Sequence, residues 1–404
     1  MIYKNNRFFV ENISAINIAK KYGTPSYCYS INKLKNNIKE FQNNFKSIDP
    51  LICFSVKSNN NLEILRVIKS YNLGADVVSM GELMIALKAR IPAKKIVFSG
   101  VGKTKEEIAY AIKKKILLIN AESESEIKVI EKIAKKKRKK VNIGIRLNPN
   151  VDAKTNNKIS TGRKIDKFGV DKKNLIKIIN SFKFSKYIKI KCLSVHIGSQ
   201  ITNFRPYTRM VKEIDKILSK INHKFDYIDF GGGMGIQYDN NTKKLDYKKY
   251  LGSIKSFLRR NNVKIIFEPG RSIVGNAAIL LTKIIYIKET SNKNFVVLDA
   301  AMNDLIRPAL YGSFHKIIPI IRNKKNIKKT HSFVGPICET TDEFLTTKKY
   351  SQTKESDYLA ICDVGAYGIV LASNYNLRTK PPEIIIDKSN IKLVSKRQKL
   401  INII

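Results

Sequence analysis

Between positions 50 and 270 the apolar residues fall into short blocks rich in Val, Ile and Phe, separated by stretches with helical spacing. The blocks are LICFSV (51–56), ADVV (75–78), KIVFS (95–99), ILLIN (116–120), NIGIRL (142–147), CLSVHI (192–197), YIDF (227–230) and KIIFE (264–268). Blocks of this length and composition read as strands. Thr104 with Glu107 and Ser123 with Glu126 form S/T-x-x-E boxes just after two of them, which marks helix starts. Strand–helix alternation predicts a parallel sheet. About eight such units in roughly 220 residues is the count that an α/β protein of the (β/α)8 TIM-barrel type needs. A doubly wound open sheet would absorb the same units.

After about residue 275 the helical spacing fades. LLTKIIYIKE, NFVVLDA, HKIIPII, HSFVGP, DYLAICDV and PPEIIID are strand-like runs joined by turn residues. They predict a second, β-rich domain of sandwich or barrel type, and the opening IYKNNRFFVE is strand-like enough to pair with it. The expected organisation is a barrel over 28–275 and a β-rich domain from 1–27 and 276–404. Residues 148–170 form one long irregular stretch inside the barrel region, a length that marks a functional or mobile loop.

Composition changes the picture little. At 404 residues and 43% hydrophobic content there is enough apolar material for a core, which excludes wholesale disorder. Lys+Arg 76 against Asp+Glu 33 gives a net charge of +43, a value that raises nucleic acid as a partner. The lysines are spread from end to end, however, alongside a heavy load of Asn and Ile. The charge therefore reads as compositional bias: nucleic acid is not expected as a partner, and a basic binding protein stays as a rival reading. The run Lys135–Lys140 reads as a solvated helix end. Five cysteines without a CxxC pair suggest neither disulfides nor a zinc site and point to a reducing compartment. The N-terminus lacks the apolar core of a signal peptide, and no stretch approaches the roughly 18 apolar residues of a membrane span. A cytoplasmic protein without a membrane partner or a metal is expected.

In a barrel the chemistry sits at the C-terminal ends of the strands. Polar or glycine-rich residues end nearly every predicted strand here: Lys57, Ser79, Ser99, Asn120, Asn148, His196, Gly231–Gly233, and Glu268 with Gly270 and Arg271. Each has an ordinary structural alternative. Lys57 is one lysine among many, His196 suits a satisfied core position, the glycines suit a tight turn, and Glu268 suits an ion pair with Arg271. Their combination says more. A desolvated lysine is an amine free for Schiff-base chemistry, and a glycine-rich strand-to-loop turn suits a phosphate. A carboxylate can pair with a protonated ring nitrogen, and a histidine can lie against a ring. Those are the four requirements of a pyridoxal phosphate site.

At this point the chain resembles the fold-type III pyridoxal phosphate decarboxylases, and within them the diaminopimelate decarboxylase family. The similarity runs from YGTPSYCY (22–29) to SNYNLR (373–378). It rests on FSVKSN around Lys57, ISTGRKIDKFGV (159–170), HIGSQ (196–200), GGGMG (231–235), EPGR (268–271), MNDLIRPALYG (302–312), GPICET (335–340) and GAYG (365–368). The resemblance implies that Lys57 holds pyridoxal 5'-phosphate covalently and that His196 stacks on its ring. Ser199, Gly231, Gly232, Gly233, Gly270 and Arg271 would take the phosphate, and Glu268 the ring nitrogen. Arg271, Arg307, Tyr311 and Glu339 would bind the far end of the substrate, with Tyr367 touching both cofactor and substrate. Cys338 would be the proton donor. It also implies a head-to-tail homodimer with interface sites, in which Cys338 and Glu339 come from the neighbouring subunit.

Substrate choice follows from charge. Ornithine ends in an ammonium group, whereas diaminopimelate carries a second amino-acid head. Arg271 and Arg307 suit that second carboxylate through bidentate contacts, and Glu339 suits the amine. Meso-2,6-diaminopimelate, giving L-lysine and CO2, is therefore the expected substrate, with carboxynorspermidine, ornithine and arginine as alternatives. Two departures from the family pattern stand out: Met80 and Ala301 occupy positions that are usually glycine. Neither removes a functional group.

Overall fold

The computed structural model describes residues 1–323, 326–327 and 329–404. The chain divides into two compact units. One comprises Ile38–Ile236 and Lys243–Ser272, and the other Met1–Asn37, Gln237–Thr242 and Ile273–Ile404.

The first unit holds all eight predicted strands. They are β1 (Leu51–Ser55), β2 (Gly74–Val77), β3 (Ile96–Phe98), β4 (Leu118–Ala121), β5 (Val141–Arg146), β6 (Ile188–Ser194), β7 (Tyr227–Asp229) and β8 (Lys264–Phe267). All neighbours are parallel, and β8 pairs with β1, which closes the barrel and sets aside the open-sheet alternative. Outward side chains such as Phe54, Val77, Phe98, Ile145 and Phe267 are fully buried. With both faces covered, each strand reads as an apolar run rather than an alternation.

Inward positions change character along most strands. Near the N-terminal ends Cys53, Val97, Leu118, Cys192 and Ile266 pack together. Two residues further on, at the strand period of two, stand Ser55, Ser99, Asn120, Ser194 and Glu268. Asp76 and Asp229 join them. The lumen is thus apolar at one end and polar at the other, the end where the chemistry of such barrels resides.

Helix starts follow their caps. Thr104 and Glu107 form the complete reciprocal box. Ser123 accepts from the Glu126 amide, but the Glu126 carboxylate takes the Glu122 amide instead of closing the box. The lysine run closes the exposed end of helix Glu124–Lys136.

The long stretch 148–170 is pinned. Thr161 Oγ1 donates to the His196 carbonyl at 2.9 Å, and Thr155 Oγ1 to that of Ser199 at 2.7 Å. The Ser199 amide returns a bond to Ile159. This loop therefore braces the HIGSQ segment.

The second unit is β-rich. Its main sheet runs Glu343–Thr347, Thr330–Val334, Lys293–Leu298, Ala278–Glu289, Ser26–Ser30, Glu383–Asp387 and Asn390–Ser395. Tyr358–Cys362 also pairs with the long central strand Ala278–Glu289, and Ile317–Pro319 adds to it. The segment through Asn37 goes with this unit because Ser26–Ser30 is one of its central strands. The opening residues form their own three-stranded sheet, tied on by the Phe8 amide to the Ile320 carbonyl. Phe8, Val10, Ile18, Cys28, Leu281, Ile320 and Ile384 share one core. No helix among the described residues is long and apolar enough to cross a membrane.

Candidate active site

Lys57 sits in the 3-10 turn Val56–Ser58 that ends β1. Its ammonium lies 2.5 Å from Oδ2 of Asp76, and that oxygen also accepts from Ser55 Oγ at 2.8 Å. Asp76 is fully buried, whereas about a third of the Lys57 side chain stays accessible. A buried anion thus points the amine while leaving it reachable.

His196 follows β6. Its Nδ1 accepts from the Gly232 amide at 3.1 Å. Burial, with Arg146 and Lys57 nearby, holds its pKa well below the ordinary imidazole value. The ring is therefore neutral, with its proton on Nε2: a flat, uncharged surface.

The glycines after β7 owe their identity to close backbone approach. A Cβ on Gly232 would lie 2.0 Å from the Glu268 carbonyl oxygen, and one on Gly233 would lie 2.1 Å from that of Gly198. Gly231 and Gly233 also have φ of +63° and +86°, values that favour glycine. The Gly231 amide is taken by Asp229 Oδ1 at 2.9 Å and the Gly232 amide by His196. Their contribution to an anion cradle is therefore space. Across from them, a Cβ on Gly270 would lie 2.8 Å from Ser58 Oγ. Arg271 is buried, and its Nη2 donates to Ser199 Oγ at 3.0 Å, which joins two of the expected phosphate ligands.

Because Gly232 is clamped against backbone, Gly232→Ala is expected to destabilise the barrel by about 3 kcal/mol, read as a lower urea midpoint. Gly252 lies within helix Tyr247–Leu258 with nothing within 4 Å of its would-be Cβ. Gly252→Ala is the control and should stabilise by up to about 1 kcal/mol.

Glu268 ends β8. Burial, and then the neighbouring carboxylates Asp229 and Asp76, push its pKa well above the usual range. The Glu268 and Asp229 carboxyl groups are hydrogen-bonded to each other, with burial raising Asp229 to about 6. Burial and mutual repulsion thus make both carboxyl groups hold a proton more readily than an exposed acid.

Lys57, His196, Ser199, the glycines, Glu268 and Arg271 thus gather at the polar end of one barrel. An accessible amine, a side-chain-free turn, a buried arginine, a buried carboxyl pair and a neutral flat ring fit pyridoxal phosphate.

The remaining expected residues lie in the β-rich unit. Arg307 is buried, with Nη1 2.7 Å from His315 Nε2 and Nη2 3.2 Å from Ser313 Oγ. Its guanidinium carbon is 4.8 Å from the Tyr238 ring centroid. His315 Nδ1 lies 2.8 Å from the Cys362 carbonyl, so Nδ1 carries the proton and Nε2 accepts from Arg307. Tyr311 ends the short helix Arg307–Tyr311. Tyr367 is half-buried, with a left-handed φ of +56°. Cys338 and Glu339 are exposed, and Glu339 is bonded to the Tyr375 hydroxyl.

Sequence reading missed the residues that hold these groups in place. Asp76 points Lys57, Asp229 backs Glu268, and His315 with Tyr238 flattens Arg307. Asp342 accepts from the Met302 amide at 2.7 Å and the Ile337 amide at 2.8 Å, and so ties MNDLIRPALYG to GPICET. Met80 opens helix Met80–Lys88, its amide bonded to Glu107. Ala301 is fully buried, and its Cα lies only 2.7 Å from where a Gly335 Cβ would stand.

Residues 31–275 match the family described as pyridoxal-dependent decarboxylase, pyridoxal binding domain. The chain is 39% identical to the diaminopimelate decarboxylase of Aquifex aeolicus, over 98% of this chain and 94% of that protein. It is also 39% identical to that of Zymomonas mobilis, over 98% and 95%. The crystal structure of diaminopimelate decarboxylase from Helicobacter pylori complexed with L-lysine superposes with a TM-score of 0.92 at 38% identity, covering 96% of this chain and 97% of that one. By its barrel, its site and these end-to-end matches, the chain belongs to the diaminopimelate decarboxylase family of pyridoxal-dependent decarboxylases.

Proposed function

We propose that the protein decarboxylates meso-2,6-diaminopimelate to L-lysine and CO2, with pyridoxal 5'-phosphate as cofactor. The observation that carries the substrate is Arg307: a buried guanidinium held flat by His315, Ser313 and Tyr238. A planar, oriented guanidinium matches a carboxylate. Of the candidate substrates, diaminopimelate has a second amino-acid head, whereas ornithine has only an ammonium at that end.

When bound, pyridoxal phosphate supplies an electron sink for the pair left behind by CO2. Lys57 would hold the cofactor through its amine, which Asp76 points. His196 presents its uncharged face to the ring. Ser199, Gly233, Gly270 and Arg271 hold the phosphate, while Gly231 and Gly232 keep the turn free of side chains. Glu268 keeps a proton at the ring nitrogen. Arg271, Arg307 and Tyr311 receive the distal carboxylate, Glu339 the distal amine, and Tyr367 contacts cofactor and substrate. Cys338 delivers a proton to the α-carbon.

The exposure of Cys338 and Glu339 supports a homodimer in which they serve the partner's site. Leu371, Tyr375 and Leu377, on the segment bonded to them, are exposed as well. All five cysteines are free thiols, in keeping with a reducing cytoplasm.

The test is release of lysine and CO2 from meso-diaminopimelate beside ornithine, arginine, lysine and carboxynorspermidine. Turnover of diaminopimelate alone supports the proposal, and turnover of ornithine alone sinks it. Arg307→Lys keeps the charge and loses the planar fork. Steady-state kinetics should show KM for diaminopimelate raised about 10- to 100-fold, with a smaller change in kcat.

A further inference from the structure

Asp76, Asp229 and Glu268 are buried carboxyl groups of the barrel lumen, beside Glu122, which pairs with Arg146. The first pairs with Lys57 and the third is assigned to the ring nitrogen, which leaves Asp229 without a role in the chemistry. It is held by more partners than a filler of space needs. Oδ1 accepts from the Gly231 amide at 2.9 Å, and Oδ2 from Ser194 Oγ at 3.2 Å and Asn120 Nδ2 at 3.3 Å. Asn120 Nδ2 also reaches Ser99 Oγ at 3.2 Å, and Ser99 Oγ reaches Glu268 Oε1 at 3.4 Å. With the Asp229–Glu268 contact this closes a ring of hydrogen bonds. The ring crosses the lumen from β7 and β8 to β3 and β4. Every neutral partner donates to Asp229, a pattern that stabilises an anion.

We infer that Asp229 is a positioning residue for the cofactor, an anion that fixes the glycine turn through Gly231 and backs the Glu268 carboxyl facing the ring nitrogen. The inference rests on the assignment of Glu268 to that nitrogen. One carboxylate thereby links the two ends of the cofactor site, phosphate side and ring side. Its charge favours the protonated ring nitrogen, because a nearby anion stabilises a cation in a low-dielectric lumen. Its oxygen sets the position from which the turn approaches the phosphate.

Such a residue carries a stability cost. Two carboxyl groups in contact without solvent disfavour each other's charge, so removing the charge relaxes the unloaded protein while it weakens the loaded one. A residue that only braced the fold would behave in the opposite way.

The test uses full-length Asp229→Asn and Glu268→Gln proteins, stripped of cofactor and reloaded by titration with pyridoxal phosphate. For Asp229→Asn the inference expects an unloaded melting temperature no lower than wild type and a cofactor Kd raised tenfold or more. It also expects a shifted visible absorption maximum and a lower kcat at nearly constant KM. A wild-type Kd and spectrum, or a drop in unloaded melting temperature as the sole change, would overturn it. Glu268→Gln separates the two levels. If it is impaired while Asp229→Asn is not, the inference alone falls; if it too keeps wild-type Kd and spectrum, the assignment of Glu268 falls with it. Should Asp229→Asn fail to fold, Ser194→Ala carries the test by removing one donor to the same oxygen. It should raise the cofactor Kd about threefold, and an unchanged Kd would count against the inference.

Discussion

Lys57→Ala is expected to lose CO2 release from diaminopimelate by roughly 10⁴- to 10⁶-fold, the scale on which an enzyme falls when its covalent group is removed. Three observations converge on this residue. It lies at the C-terminal end of β1, its amine is turned by the buried Asp76, and its side chain is accessible. No other cation in the described lumen pairs with Asp76. Alanine therefore also leaves that carboxylate buried beside Ser55 without its cation, and removing one partner of such a pair destabilises. Lys57→Arg resolves the ambiguity. The guanidinium keeps the ion pair and thus the urea midpoint, but it stays protonated and offers no nucleophilic amine. Activity and the visible absorption of bound cofactor should vanish in both variants. Stability should fall only in the alanine variant. Full activity in Lys57→Arg would remove Lys57 from the chemistry.

The sequence carried the barrel because its strands are covered on both faces. Each became an uninterrupted apolar run, and each run stopped where the lumen turns polar. Lys57, His196 and Glu268 were visible for that reason: they stand at the stops. Asp76 and Asp229 were not, because each sits inside a run, in ADVV and YIDF, as one polar residue among apolar ones. Period-two spacing was the available signal, since Asp76 falls two residues beyond Gly74 on the lumen side and Asp229 two beyond Tyr227. A charge at an inward position of a barrel strand needs a partner, and the partner stands on another strand, far away in sequence. The same limit applied in the β-rich unit. Ser26–Ser30 pairs with Ala278–Glu289 and Glu383–Asp387, hundreds of residues away. Glu343–Thr347 and Asn390–Ser395 escaped notice because the edge strands EFLTT and NIKLVS mix polar residues into the run. His315 looked like part of the strand HKIIPII. Only the fold brings it to Arg307, eight residues away in sequence, with its tautomer set by the Cys362 carbonyl.

The second large effect is expected at Cys338. Cys338→Ala should lower kcat by about 10²- to 10⁴-fold, the usual contribution of a positioned proton donor, and leave KM for diaminopimelate nearly unchanged. The residue is exposed, and its amide is bonded to Asn376 Oδ1 at 3.4 Å, a contact that alanine preserves. The melting temperature should therefore stay at the wild-type value, and lost activity reports chemistry rather than folding. Exposure also poses a question, since a proton donor in open solvent competes with water. A second subunit covering the segment would answer it, and the Lys57→Ala and Cys338→Ala variants test that together. If Cys338 serves the partner's site, unfolding and refolding Lys57→Ala with Cys338→Ala yields mixed dimers. Each mixed dimer has one site lacking both groups and one site intact. Random association makes half the dimers mixed, so activity should return to about a quarter of wild type. If Cys338 served the site of its own chain, every site would lack one group and the mixture would stay inactive. An activity near a quarter thus fixes the role of Cys338 and the dimer in one measurement, and its absence with both variants folded would separate them.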